Sequence, residues 1–172
     1  MKERTTWDNA RGNLKARIGE GIVESILTEA GNDVRRFGQE WRTTQFLEFC
    51  PKIFDPNPLP ERFRQKPDFV IKNREGKIEG VEVKFRTNSA FVYMLDKSYL
   101  RTLHTNWPRT RIVVVSHDAD ITIGVLSPPF LNESGDLLEI VPIFAIQEWG
   151  VDSTLFSKYD SIIRYLPMYL FT

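Results

Sequence analysis

The chain is poor in the residues that build cross-links and soft-metal sites: one cysteine, Cys50, and two histidines, His104 and His117, in 172 residues. A lone thiol excludes an intrachain disulfide and fits a reducing compartment. Three soft or borderline ligands argue against a four-ligand structural zinc site. Long apolar runs are missing as well. No stretch approaches the ~20 residues needed to span a bilayer, and residues 1–7 lack the apolar core of a signal peptide. The expected location is therefore the cytoplasm, nucleoid association included, with no membrane partner. A Gly-x-x-x-x-Gly-Lys-Ser/Thr loop is also absent, so ATP-driven chemistry is not encoded. Gly19-x-Gly21 does not read as a dinucleotide loop, because the third glycine and a preceding strand are missing.

Net charge is lacking too: 23 Lys+Arg balance 23 Asp+Glu. On average this is the wrong footprint for a nucleic-acid binder. The average hides an asymmetry, however. Residues 1–117 carry 21 basic against 15 acidic side chains, a balance of +6, whereas residues 118–172 carry 2 against 8, a balance of −6. With 41% hydrophobic and 27% charged residues, the composition is that of a globular protein and the length that of one domain over residues 1–172; the strand and helix patterns along it make the expected class α/β. It divides into a core of about residues 13–117 and a C-terminal β/α extension of about 118–172.

What is present centres on two short apolar strands. Pro67-Asp68-Phe69-Val70-Ile71 is followed, after a turn, by Val81-Glu82-Val83-Lys84-Phe85. Gly76 sits where a three-residue hairpin loop, Arg74-Glu75-Gly76, needs a left-handed residue. Pairing is then symmetric about Glu75. Lys72 faces Ile78, Val70 faces Gly80, and Asp68 lies opposite Glu82. Opposed residues share a face, with Cβ atoms roughly 4.5–5.5 Å apart. Phe69, Val81, Val83 and Phe85 fall on the other face, where a core would take them. A slip of one residue would put Val81 opposite Asp68 and destroy the arrangement.

Two carboxylates held so close repel one another, and a shared proton or a bound cation relieves the repulsion. Oxygen ligands suit Mg²⁺ or Mn²⁺, whose remaining positions are filled by water and substrate phosphate. Lys84, two residues beyond Glu82, shares its face and can orient or help deprotonate a nucleophilic water, or neutralise charge on a phosphorane. Glu-x-Lys alone is a common pattern. Glu75-Gly76-Lys77 also fits it but lies in the turn and lacks flanking strands.

Pro67-Asp68, thirteen residues, then Glu82-Val83-Lys84 resembles the PD-(D/E)XK, or restriction-endonuclease-like, nuclease superfamily. The resemblance covers residues 13–117 and selects no subfamily. It implies a mixed central β-sheet flanked by helices, in the order helix, strand, strand, strand, helix, strand. It further implies a divalent-metal-dependent endonuclease that hydrolyses phosphodiesters, with DNA favoured over RNA as partner. Asp68 and Glu82 would bind Mg²⁺ or Mn²⁺ together with the Val83 carbonyl, and Lys84 would assist the water. Many members add a glutamate from the first helix, and Glu20 is the best match. The competing expectation is a nucleic-acid-binding or assembly module that keeps the fold without cleavage.

Residues 13–30 read as an amphipathic helix, with Leu14, Ile18, Ile22, Val23, Ile26, Leu27 and Ala30 on one stripe. Glu20 lies at its edge and Glu24 further into solvent. Gly19 and Gly21 each cost a helix about 1 kcal/mol against alanine, which suggests close approach of a backbone or substrate at this turn. Two readings of Glu20 stand, a functional carboxylate and an ordinary solvated one.

The other elements follow from patterning. Residues 33–37 form a short strand, and the prolines of 50–67 rule out a regular helix there. Residues 89–104 form a helix with Tyr93, Lys97 and Arg101 along one side. Residues 112–115 form a buried parallel strand. Residues 121–126 and 138–144 are expected strands, separated by turns, and 153–166 an amphipathic helix capped by Asp152 or Ser153, with Leu155, Tyr159, Ile162 and Leu166 inward. Candidate phosphate contacts are Arg62, Arg64, Lys66, Arg86, Lys97 and Arg101. His117 is either a phosphate ligand or general acid, or a plain strand-end histidine. The apolar end, residues 167–171, docks on its own domain or on a second copy, and a homodimer would supply the two sites that paired cuts need.

Overall fold

The hairpin forms in the register that its loop dictates. The computed structural model describes residues 6–37, 66–86 and 95–166, with side chains from residue 12. Strands β2 (Phe69–Lys72) and β3 (Ile78–Arg86) pair antiparallel, with Val70 opposite Gly80 and Lys72 opposite Ile78. Gly76 has φ +79°, the left-handed conformation that the loop requires. Asn73 locks the turn: its Oδ1 accepts the N–H of Glu75 at 3.1 Å and of Lys77 at 2.9 Å. Glu75 and Lys77, the second Glu-x-Lys, form an exposed ion pair within that turn.

Around the hairpin a mixed sheet of six strands is ordered β1 to β6 among the described residues. Strand β1 (Asp33–Arg36) lies antiparallel to β2. Strand β4 (Thr110–Ser116) runs parallel to β3, as its apolar Ile112-Val113-Val114-Val115 run implies. Strands β5 (Ile123–Leu126) and β6 (Val141–Pro142) add antiparallel pairs. Helix α2 (Lys97–Asn106) connects β3 to β4, and α1 (Thr6–Glu29) and α3 (Ser153–Tyr165) frame the chain.

The alternation of β3 separates two apolar layers. Val81, Val83 and Phe85 join Phe69, Val113 and Val115 in a core that α1 covers with Val23, Ile26 and Leu27 and α3 with Tyr159 and Ile163. Residues beyond 117 therefore build the same core as the first helix. On the opposite face, Leu100 and Leu103 of α2 cover Ile112, Val114 and Leu126, with Phe130.

Several boundaries differ from the expectation, each for a physical reason. Helix α1 starts at Thr6, before residue 13, and Leu14 is 46% exposed because the stripe meets the sheet only from Ile18 onward. Helix α2 starts at Lys97, because the Asp96 side chain accepts the Ser98 N–H at 2.7 Å and caps it there, and it runs on to Asn106. The strand expected over 138–144 is reduced to Val141–Pro142. Pro142 has no N–H to extend the ladder, and the chain turns into a 3₁₀ turn over Ile143–Ala145. In α3, Asp152 is the cap, and Ile163 is the fully buried isoleucine whereas Ile162 is 45% exposed. The proline-rich stretch up to residue 65, Tyr93 and the apolar end 167–171 lie outside the described residues.

Candidate active site

Asp68 sits one residue before β2, at the point where the backbone ladder gives way to its side chain. Its carbonyl accepts the Phe37 N–H at 2.8 Å, which ties it to the end of β1. Its Oδ2 accepts the Val83 N–H at 2.7 Å, which aims the carboxylate across to β3. Extending the observed pairing by one step, Asp68 stands opposite Glu82. Glu82 and Lys84 occupy the even positions of β3, beside Ile112 and Val114 of β4, on the face that α2 covers.

Glu82 is 5% exposed. Its Oε1 accepts two donors, Lys84 Nζ at 2.5 Å and the Tyr99 hydroxyl at 2.7 Å. Its Oε2 is buried without a partner. An unpaired buried carboxylate oxygen is costly, and such atoms call for a ligand or ion. Asp68 feels the same crowding. Burial, the charge of Glu82 and, more weakly, that of Glu20 raise its pKa to about 7, against the opposing pull of the Val83 N–H and Lys84. Burial and the neighbouring Glu82 also push the Tyr99 hydroxyl well above its ordinary range, so it remains a donor. Lys84 Nζ stands 4.9 Å from the Tyr99 ring centre, a cation–π distance.

Glu20 approaches from the other side of the sheet. Its Oε2 pairs with Arg36 at 3.1 Å, and Arg36 also holds Glu24 at 2.6 Å. The structure therefore brings Glu20 within electrostatic reach of Asp68 but engages its carboxylate with a guanidinium. The glycines beside it divide. A Cβ on Gly19 would stand 3.1 Å from Phe85, so close packing on β3 accounts for it, whereas Gly21 faces open space and has no packing reason.

The expected phosphate contacts scatter. Lys66 lies 5.9 Å from the Phe37 ring. Arg86 is half-buried and donates to the Phe85 carbonyl at 2.9 Å, and burial lowers its pKa. Lys97 and Arg101 are exposed on α2, with Arg101 leaning toward Gly135. His117 is half-buried just past β4. Arg62 and Arg64 lie outside the described residues.

Sequence reasoning missed Tyr99, the pairing of Arg36 with Glu20 and a second buried glutamate. Glu79, on the opposite face of β3, is bonded to Arg111, Trp149 and Asn73. It floors an open cleft of about 480 Å³ with Lys77, Arg109, Arg111 and Glu148. Tyr99 carried one available signal, its place one residue from the buried Leu100 in a helix that returns over the sheet. Nothing local points to Arg36.

The donor set can be tested for a cation. Among the described residues no three His, Cys, Asp or Glu side chains gather into a ready-made metal cluster. Two desolvated carboxylates, one with an unpartnered buried oxygen, nevertheless fit a hard divalent ion that takes few protein ligands and keeps its waters. Among the described residues no helix is long and apolar enough to cross a membrane. No family model, curated protein or solved structure matches the chain, so Asp68, Glu82, Lys84 and Tyr99 stand on their own geometry.

Proposed function

We propose that the chain is a divalent-metal-dependent nuclease of the restriction-endonuclease-like kind, acting on DNA in preference to RNA. One observation carries this reading: Glu82, nine-tenths buried, keeps an unpartnered Oε2 beside Asp68, whose proton affinity is raised. Asp68 Oδ1, Glu82 Oε2 and the Val83 carbonyl would hold Mg²⁺ or Mn²⁺. Bound there, the ion supplies Lewis-acid activation of water and charge stabilisation at phosphorus. The chain does the rest. The water oxygen bonds to phosphorus, the ester P–O bond breaks with its electron pair on the leaving sugar oxygen, which takes a proton from solvent, and the proton of the attacking water passes to solvent. Lys84 donates to the attacking water or to the equatorial oxygens as negative charge builds. Glu20, whose charge reaches Asp68 from the α1 side of the sheet, supports the nucleophile electrostatically. Lys66, Arg86, Lys97 and Arg101, with Arg62 and Arg64, supply cations for the phosphate backbone.

The test is incubation with Mg²⁺ or Mn²⁺ and linear, supercoiled, single-stranded and branched DNA, with RNA alongside. Cleavage should vanish in Asp68→Asn, which keeps an acceptor for the Val83 N–H, and in Lys84→Ala. Cleavage that survives both changes, or no cleavage of any substrate, overturns the proposal. Binding without cleavage would favour the non-catalytic module.

A further inference from the structure

Glu82 has two oxygens in opposite situations, and Tyr99 is one cause of the difference. Lys84 Nζ and the Tyr99 hydroxyl both donate to Oε1, while Oε2 is buried with no donor. A carboxylate oxygen that accepts two short charge-assisted bonds has no lone pair left for an ion. Glu82 can then offer a cation only Oε2. Neighbours hold both donors: Tyr99 is half-buried on α2 next to the buried Leu100, and Lys84 Nζ stands 4.9 Å from the Tyr99 ring centre.

Single-oxygen coordination has a chemical consequence. Mg²⁺ and Mn²⁺ accept octahedral sites of few one-oxygen carboxylates and several waters, whereas Ca²⁺ prefers more ligands and takes carboxylates through both oxygens. We infer that Tyr99 is a positioning residue that locks Glu82 into single-oxygen coordination and thereby selects a small octahedral cation over Ca²⁺. This rests on the proposed function only in taking Asp68 and Glu82 as the cation's ligands.

The experiment is calorimetric titration of the full chain with Mn²⁺ and with Ca²⁺, for the wild type, Tyr99→Phe and Glu82→Gln. Tyr99→Phe keeps the ring and its packing and removes only the hydroxyl, and a melting curve without cation checks that it folds. Mn²⁺ affinity should fall by about ten- to a hundredfold, the usual effect of removing a partner that orients a metal ligand. Ca²⁺ affinity should fall less or rise, so the Mn²⁺-to-Ca²⁺ ratio narrows by about tenfold. Equal loss for both ions would mark Tyr99 as merely structural and overturn the inference, and so would unchanged affinities. Wild-type protein whose Mn²⁺ binding ignores Glu82→Gln would remove the inference and the proposed function together. Selective Mn²⁺ binding in a protein that cuts no nucleic acid would uphold the inference and sink the nuclease.

Discussion

Strand β3 carries two buried glutamates three positions apart, and they differ in what they are given. Glu79, 8% exposed, faces the core shared by α1 and α3. Its Oε1 accepts Trp149 Nε1 at 2.8 Å and Asn73 Nδ2 at 3.3 Å, and its Oε2 accepts Arg111. Arg111 in turn holds Glu148 at 2.5 Å and lies 5.2 Å from the Trp149 ring centre. Both oxygens of Glu79 therefore have partners within the protein. Glu82, 5% exposed on the other face, has one oxygen doubly bonded and one empty, with Asp68 as an unfavourable neighbour. Equal burial therefore marks two roles. A completed network pins one part of the fold to another, here the 3₁₀ turn over Gln147–Trp149 to the sheet, and the incomplete one leaves a buried acceptor oxygen unsatisfied.

The contrast breaks most visibly at Asp68. Its folded pKa of about 7 exceeds the ordinary 3.8, so the folded chain holds the proton more tightly than the unfolded chain. Its contribution to stability is complete below 3.8 and is lost as pH rises to about 7. A shift of this size corresponds to a loss on the order of 4 kcal/mol. Without divalent cation, Asp68→Asn should therefore be the more stable protein at pH 8 and should lose most of that advantage by pH 4. Urea denaturation of both proteins across the range reads this directly. Because Glu79 is also raised by burial, the difference between the two proteins is the informative quantity. A variant less stable than wild type at pH 8 would show that Asp68 is comfortable as an anion, and the contrast with Glu79 would fail.

At Glu79 the sign reverses. Glu79→Ala leaves Trp149 Nε1 without its acceptor and removes one of the two carboxylates on Arg111, and should cost about 3 kcal/mol, the low end for breaking a buried pair because Glu148 remains with Arg111. Mn²⁺ affinity of the folded variant should be unchanged, since Glu79 faces away from the candidate site. Glu82→Gln should move stability by no more than about 1 kcal/mol, because loss of the Lys84 ion pair opposes relief of Asp68. It should abolish cation binding all the same. Thermal melts with and without Mn²⁺ separate the two glutamates. If Glu82→Gln destabilises the chain as much as Glu79→Ala does, Glu82 is structural.

How much of this was legible in the sequence follows from range. The hairpin was readable because its determinants are local. Asn73, Gly76 and period-two alternation set the register within a few residues, and Asp68 opposite Glu82 followed. The parallel β4 was readable from its wholly apolar run. Tyr99 was not, because its distance from Glu82 depends on where α2 starts, and the Asp96 cap moved that start past residue 89. Glu79 carries no local signal, since Trp149, its donor, lies 70 residues away. Leu14 and Ile162 fit the helical stripes by period but lie where nothing packs over them, a matter of tertiary placement that period cannot carry.

The smallest expected effect concerns Glu20, the one sequence-predicted residue whose part depends on a neighbour. Arg36 neutralises Glu20 and Glu24 through pairs in which its side chain is 46% exposed. Pairs so exposed contribute on the order of 0.5 kcal/mol each, so losing both in Arg36→Met should lower stability by about 1 kcal/mol. Its effect on the site is more telling. With the guanidinium gone, Glu20 exerts its full charge on the carboxylate pair. If that charge acts only through space, Mn²⁺ affinity should rise by roughly two- to fivefold and the gain should disappear in high salt. If Glu20 is itself a ligand held back by Arg36, release should raise affinity by more than about tenfold, independently of salt, or add a second bound ion. Calorimetry at two ionic strengths distinguishes these outcomes. The distances favour the first, because Arg36 bonds Glu20 while Asp68 feels it only as one of its weaker charges. An unchanged Mn²⁺ affinity at low salt would place Glu20 outside the site and leave Asp68 and Glu82 as its only acids among the described residues.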